Sequence, residues 1–73
     1  MKTFGQILRE KRRAKGWRQY KLAEMLNVRV QTITNWERDL TVPNVYMAAD
    51  IAQVLGCTID ELVRGGLNNE LQR

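Results

Sequence analysis

The sequence of 73 residues contains no histidine and one cysteine, Cys57. A single thiol cannot form an intrachain disulfide, which suits a reducing cytoplasm. Without imidazole groups, the chain cannot form a His/Cys metal site or a nucleophilic mechanism that uses a His base. We therefore expect no metal or other cofactor. Because nothing in the sequence supplies a pocket or a catalytic partner for the adjacent acids Asp60 and Glu61, we also expect a protein that is not an enzyme.

Long apolar runs are also lacking. No stretch approaches the roughly 20 apolar residues that a membrane-spanning helix needs. The N-terminal segment MKTFGQILREKRRAKG is charged at its centre, where a signal peptide would be apolar. We expect a soluble, cytoplasmic protein with no membrane partner.

The charges are distributed unevenly along the chain. Residues 1–39 hold ten of the twelve basic side chains and four of the eight acidic ones, a net charge of +6, whereas residues 40–73 carry −2. Together they give the formal net charge of +4. A segregated basic half is typical of a protein that binds a polyanion, although a solubilising surface would have the same composition.

Helical patterns account for most of the chain, and no convincing strand or repeat is present. Thr3 with Gln6 and Thr58 with Glu61 have the spacing of capping boxes, and Asn44 is a favourable N-cap. The predicted helices cover about 3–15, 18–26, 30–38, 45–55 and 58–64. The sequence thus predicts an all-α, compact five-helix bundle over residues 1–66, followed by a polar tail over 67–73.

The stretch LAEMLNVRVQTITNWER places two helical patterns on either side of Asn27 and Val28. Ala23 is small enough for a close approach of the two helices, and Asn27 tolerates the left-handed conformation that ends the first. Two helices joined in this way can meet at a steep angle, one crossing a phosphate backbone and the other entering the major groove. The pattern favours duplex DNA as a partner.

In its order of motifs the sequence resembles the Cro/repressor-type, XRE-like helix-turn-helix family. The matching pieces are FGQILREKR, Q-x-x-LA-x-x-L-x-V, TI-x-x-WER and, after Pro43, IAQVLGCTIDEL, which extend over about residues 4–63. The resemblance implies a lambda-repressor-like DNA-binding domain that acts as a transcriptional repressor or regulator in a bacterium or phage. It also implies binding to a near-palindromic operator as a homodimer.

The exposed face of the third helix is expected to read bases. Gln and Asn side chains can pair bidentately with adenine, Val can contact a thymine methyl, and Thr can bond to either base type. The alternative is that these are ordinary solvated residues, and Val30 could instead cover the helix junction. The candidate base-reading residues are Val30, Gln31, Thr34, Asn35 and, by the resemblance, Gln19.

Phosphate contacts are expected from basic and polar residues that flank this helix. Arg12 has a second interpretation, because in similar repressors the corresponding Arg pairs with the acid that follows the inward residue of helix three, here Glu37. Each cation, taken alone, could also be a solvated surface charge. The candidate phosphate-contacting residues are Arg12, Arg18, Lys21, Arg29, Thr32, Arg38 and Asn44.

The sequence departs from the family at several helix ends. The family often has Gly where this chain has Asn27 and Asp39, and Ser or Thr near Arg18 and Arg29. An Arg cannot accept a backbone hydrogen bond, so each lost cap should cost about 1 kcal/mol. Our hypothesis is that Arg18 and Arg29 sacrifice stability for binding to phosphates at helix N-termini.

Dimer contacts are expected near the fifth helix, from Ile59, Leu62, Val63 and Leu67, although several of these residues must also fill the core. A chain of this length leaves no room for a separate ligand-sensing domain, so we expect control by concentration, a partner chain or proteolysis. The main alternative is a protein-interaction module on the same fold, an antitoxin or anti-repressor partner, whose partner docks on the acidic half.

Several other residues favour structural roles over chemical ones. Trp17 and Trp36 have core or core-edge positions, and only five aromatic residues are present, too few for a stacking groove for single strands. Asp60 and Glu61 lie at a helix start, where capping and the helix dipole explain them. Cys57 is predicted to lie in a turn, and we assign it no catalytic role.

Overall fold

The computed structural model describes residues 2–63, which form five helical segments and no strand within that range. Four are α1 (Phe4–Ala14), α2 (Gln19–Leu26), α3 (Val30–Glu37) and α4 (Val45–Leu55), and α5 covers residues 59–63. The all-α prediction is confirmed, with boundaries within one or two residues of those expected. In the described part of the chain, no helix combines the length and apolar character that a membrane span requires.

Side-chain caps start three of the helices as predicted. Thr3 Oγ1 accepts a hydrogen bond from the Gln6 backbone N–H at 3.2 Å, and Gln6 Oε1 accepts one from the Thr3 N–H at 2.9 Å. Thr58 and Glu61 form the same reciprocal pair at 3.0 and 2.9 Å. Asn44 Oδ1 accepts from the Met47 N–H at 2.8 Å. These bonds satisfy backbone donors that have no partner within the helix.

Each helical segment contributes one completely buried aliphatic side chain to a common core. These side chains have 0% exposure and are Leu8, Leu22, Ile33, Ile51 and Leu62. Ala23, Leu26 and Trp36 are also buried, as the helical spacing predicted. The core therefore joins all five segments and fixes the direction in which α3 presents its outer face.

A glycine allows α1 to approach the end of α3. A Cβ atom on Gly5 would lie 2.6 Å from the backbone oxygens of both Trp36 and Glu37. Real Cβ atoms do not approach backbone atoms this closely, so any larger residue at this position would push the helices apart. Sequence reasoning assigned Gly5 no such role.

The residues predicted to form dimer contacts differ in how deeply they are buried. Leu62 has no exposed surface and fills the core, which corrects the expectation that it lines a contact with a second copy. Ile59 is 37% exposed, and Val63 is partly buried. Leu67 and the predicted tail lie outside the described residues.

Candidate nucleic-acid interface

The junction between α2 and α3 has the geometry that the sequence predicted. Asn27 ends α2 in the left-handed region with φ 57°, and the Val28 N–H donates to the Ala23 carbonyl at 3.0 Å. Arg29 then serves as the N-cap of α3 with extended backbone. The chain therefore restarts a helix after only three residues, and α3 is braced against α2.

Two amide side chains lie on the outer face of α3. Gln31 is exposed and Asn35 is half-buried, and Gln31 Nε2 donates to Asn35 Oδ1 at 3.0 Å. Val30, at the start of the helix, is 43% exposed. These residues face outward, which is the arrangement required for reading bases, and their contact with DNA stays a prediction.

Gln19 and Thr34 are brought together next to this face. Thr34 Oγ1 donates to Gln19 Oε1 at 2.9 Å, and Gln19 Nε2 donates to Glu37 Oε1 at 3.0 Å. Both Gln19 and Thr34 are half-buried. A hydrogen bond thus connects Gln19, the base-reading candidate on α2, to Thr34, one of the candidates on α3. The spacing of the two residues in the sequence did not predict this bond.

A buried ion pair lies beneath these residues. Arg12 is 7% exposed and Glu37 is 4% exposed. Arg12 Nε and Nη2 donate to the two carboxylate oxygens of Glu37 at 2.6 and 3.0 Å, and Nη1 donates to the Trp17 carbonyl at 2.7 Å. The predicted ion pair between helices one and three is confirmed.

Arg12 was also expected to contact phosphate. Each of its three nitrogens donates one hydrogen bond inside the protein, and its side chain is 8% exposed. Arg12 therefore connects α1, the α1–α2 turn and the end of α3. A contact between its remaining N–H groups and phosphate stays a prediction.

Opposing effects act on the pKa of Glu37. Burial alone would raise this pKa, but hydrogen bonds from Arg12 and Gln19, the charge of Arg12 and a further interaction with Arg9 lower it, and the net pKa lies below the ordinary value of 4.5. Arg9 Nε lies 3.5 Å from Glu37 Oε1. The carboxylate is therefore charged at neutral pH.

The remaining phosphate candidates lie at helix ends or on partly exposed faces. Arg18 and Arg29 are the N-caps of α2 and α3, and neither side chain makes a capping hydrogen bond. Asn44 uses its oxygen to cap α4, which leaves its amide N–H groups as potential donors. Lys21 Nζ lies 3.8 Å from Glu24 Oε1. Thr32 is half-buried and Arg38 is exposed.

Asp39 has a structural role that sequence reasoning missed. It adopts φ 60° after α3, and its carboxylate oxygens accept hydrogen bonds from Thr3 Oγ1 at 2.6 Å and from the Gly5 N–H at 2.9 Å. The end of α3 is thereby attached to the start of α1. The available signal was an aspartate at a position where the family often has glycine, because Asp can adopt the left-handed conformation and use its short polar side chain for hydrogen bonds.

A cleft lined by Lys11, Cys57 and Glu61, among others, offers no comparable chemistry. Burial raises the pKa of the Cys57 thiol, and Glu61 raises it further, while the charge of Lys11 lowers it. The thiol is therefore protonated at neutral pH and a poor nucleophile. No group of three or more His, Cys, Asp or Glu side chains suited to a metal ion occurs within residues 2–63.

Comparisons with known proteins place these features in context. A family model described as Helix-turn-helix matches residues 8–62. The P22 c2 repressor, in a crystal structure with synthetic operator 9T, is 31% identical with a TM-score of 0.84, over 89% of this chain and 98% of that chain. None of the curated proteins matches the sequence significantly.

Two further solved structures are similar. The solution structure of the DNA-binding domain of the P22 c2 repressor is 31% identical with a TM-score of 0.80, over 84% of this chain and 80% of that chain. A transcriptional regulator from Listeria innocua is 28% identical with a TM-score of 0.77, over 84% of this chain and 57% of its own.

Proposed function

This chain belongs to the helix-turn-helix family, and from that membership we propose that it binds double-stranded DNA sequence-specifically as a transcriptional repressor. The observation that carries the proposal is the outer face of α3, where Gln31 and Asn35 lie at the surface of a helix braced by α2. The P22 c2 repressor, which has a similar fold, is described in complex with operator DNA.

In this proposal α3 enters the major groove and presents its N-terminal residues to base edges. Gln31 and Asn35 would pair with adenines, and each good pair would contribute roughly 1–3 kcal/mol of discrimination. Val30 would contact a thymine methyl group. Gln19 and Thr34 would complete the base-reading group from the adjoining edge.

Phosphate contacts would position the domain on the duplex without reading its sequence. Arg18 and Arg29 support this role by their location at the N-termini of α2 and α3, where backbone N–H groups also favour an anion. The further members of this group are Arg12, Lys21, Thr32, Arg38 and Asn44.

A homodimer would explain a near-palindromic operator. Two copies would place their α3 helices about 34–36 Å apart, one turn of the duplex. Ile59, Val63 and Leu67 are the proposed contacts, of which Ile59 has the exposed surface that supports this role. Such a repressor would act in the cytoplasm, in association with the nucleoid.

Selection from random duplex DNA tests the proposal. We expect a palindromic consensus that carries adenines under Gln31 or Asn35. Gln31→Ala should lose preference at one position of each half-site, whereas Gln53→Ala, which changes an exposed glutamine on α4, should leave the consensus unchanged. Absence of any enriched sequence with the parent protein would refute the function.

A protein-interaction module on the same fold is the second candidate function. The observation that favours it is a series of exposed apolar side chains, Leu40, Val42, Val45 and Tyr46, between α3 and the start of α4. Exposed apolar surface of this kind is common at protein contacts. As an antitoxin or anti-repressor partner, this chain would bind its toxin or other partner through this part of its acidic half, residues 40–73.

A further inference from the structure

A chain of hydrogen bonds connects the buried ion pair to the surface of α3. It begins at Arg12, passes through the Glu37 carboxylate to Gln19, and ends at the Thr34 hydroxyl. An ionised carboxylate only accepts hydrogen bonds, whereas an amide side chain has a donor end and an acceptor end. The direction of every bond in the chain therefore depends on Glu37.

Gln19 has only one favourable orientation against this carboxylate. Its Nε2 lies 3.0 Å from Glu37 Oε1. If the amide turned over, its oxygen would face a carboxylate oxygen at this distance, and two acceptors cannot form a hydrogen bond. Glu37 cannot turn away, because two Arg12 nitrogens hold its two oxygens in the interior.

Thr34 is constrained in turn by Gln19. Because the amide nitrogen faces Glu37, the amide oxygen faces Thr34 Oγ1, at 2.9 Å. The single hydroxyl proton of Thr34 is used in that bond, and its oxygen lone pairs are left for other partners. Towards the outside of the protein, Thr34 offers an acceptor and no donor.

We infer that Glu37, acting through Gln19, makes Thr34 an obligate hydrogen-bond acceptor towards DNA and thereby selects a base with an exocyclic amino group. The inference rests on the proposed function. In the major groove, the amino groups available are adenine N6 and cytosine N4, whereas guanine O6 and N7, thymine O4 and phosphate oxygens accept only. Thr34 thus reads one class of base, although threonine in general bonds to either.

The test compares binding to a selected operator and to the same operator without one amino group. At the base under Thr34, purine replaces adenine, or 2-pyrimidinone replaces cytosine. The parent should lose about fivefold in affinity, the usual effect of one hydrogen bond. Thr34→Ser, which keeps the hydroxyl, should lose the same factor, and Thr34→Val should lose none.

Two further variants test the role of Gln19 and Glu37. Gln19→Met keeps the length of the side chain but frees the Thr34 proton, so guanine or thymine should now be accepted at that position. Glu37→Gln should weaken the preference for adenine or cytosine under Thr34. The new amide side chain can donate as well as accept, so it can form a hydrogen bond with the Gln19 amide in either orientation. Preference under Gln31 and Asn35 should be unchanged in both variants, which separates this effect from a general loss of structure.

Several outcomes would overturn the inference. A parent protein that selects an operator but prefers guanine or thymine under Thr34, or has no preference there, contradicts it while the proposed function stands. A Gln19→Met variant with the parent's preference at that position also contradicts it, and this variant decides the matter if Glu37→Gln does not fold. A parent that selects no sequence refutes both the inference and the function.

Discussion

At the scale of single residues, the buried Glu37 carboxylate connects α1 and α2 to the end of α3. Burial of an unpaired charge is unfavourable, and here two bonds from Arg12 and one from Gln19 compensate for lost hydration. Removal of one partner from such a pair leaves the other charge buried without compensation. The stability of the domain and the position of α3 therefore both depend on this carboxylate.

Glu37→Gln should destabilise the fold by about 3–5 kcal/mol at neutral pH, because the Arg12 charge would be buried without its counter-charge. Thermal and urea unfolding followed by circular dichroism measure the effect. Glu10→Gln is the control, since the Lys2–Glu10 pair is exposed and should contribute at most about 1 kcal/mol. Equal melting temperatures for Glu37→Gln and the parent would contradict the prediction.

The lowered pKa of Glu37 determines the sign of its pH dependence. Folding favours the charged form of Glu37. Its contribution to the free energy of unfolding is therefore complete above the pKa of the unfolded state, near 4.5, and is lost as the pH falls through the lower pKa of the folded state. We expect the stability difference between parent and Glu37→Gln to shrink below about pH 4.5, as measured by urea unfolding at several pH values.

Two residues with positive φ should respond oppositely to glycine. Asn27→Gly should raise stability by up to about 1 kcal/mol, because glycine adopts φ 57° without strain. Asp39→Gly should lower it, because the bonds from Thr3 and Gly5 to the carboxylate are lost, at about 1 kcal/mol or more each. Unfolding measurements on both variants check this, and stabilisation by Asp39→Gly would show that the bonds contribute little.

At the scale of helices, local sequence patterns predicted most of the fold. Thr3, Asn44 and Thr58 start helices, and Asn27 and Gly56 end them, because capping depends on neighbours within a few residues. The contacts that complete the candidate interface lie far apart in sequence. The Gln19–Thr34 bond, the Asp39 bonds and the tight approach at Gly5 depend on how packed helices meet, which no local pattern contains.

A side-chain cap at the start of α3, which has none, should raise the stability of the protein and weaken its binding to DNA. Arg29→Ser would supply the missing N-cap and should stabilise the protein by about 1 kcal/mol, which corresponds to roughly 4–8 °C in melting temperature. Its DNA affinity should fall, and the salt dependence should decrease by about one phosphate contact.

Arg29→Gln is the matched control, because it removes the charge without adding a favourable cap. It should bind DNA as weakly as Arg29→Ser but show a smaller gain in melting temperature. If Arg29→Ser melts below the parent, or binds DNA equally well, Arg29 has no such dual effect.

At the scale of the whole molecule, the segregation of charge should govern affinity. Residues 1–39 carry +6 and residues 40–73 carry −2, so the half that contains α2 and α3 attracts a polyanion. If 6–10 phosphates are contacted, affinity for the selected operator should fall by about 10³–10⁵ between 50 and 200 mM salt. Fluorescence anisotropy with labelled duplex measures this.

A control duplex without the operator should show a similar salt dependence at lower affinity, because phosphate contacts do not depend on sequence. An affinity for the selected operator that changes little over this range of salt would instead support the protein-interaction module.

The burial of Trp36 has a practical consequence for studying this domain. Its indole lies on the inner side of α3, with 5% exposure, directly behind the side chains proposed to meet DNA. Its emission spectrum should stay blue when an operator occupies the outer side and move to the red only when the core opens to water. With the half-buried Trp17 replaced by Phe, Trp36 would be the single tryptophan, and its selectively excited emission would distinguish a ligand-bound repressor from a melting one in the same cuvette.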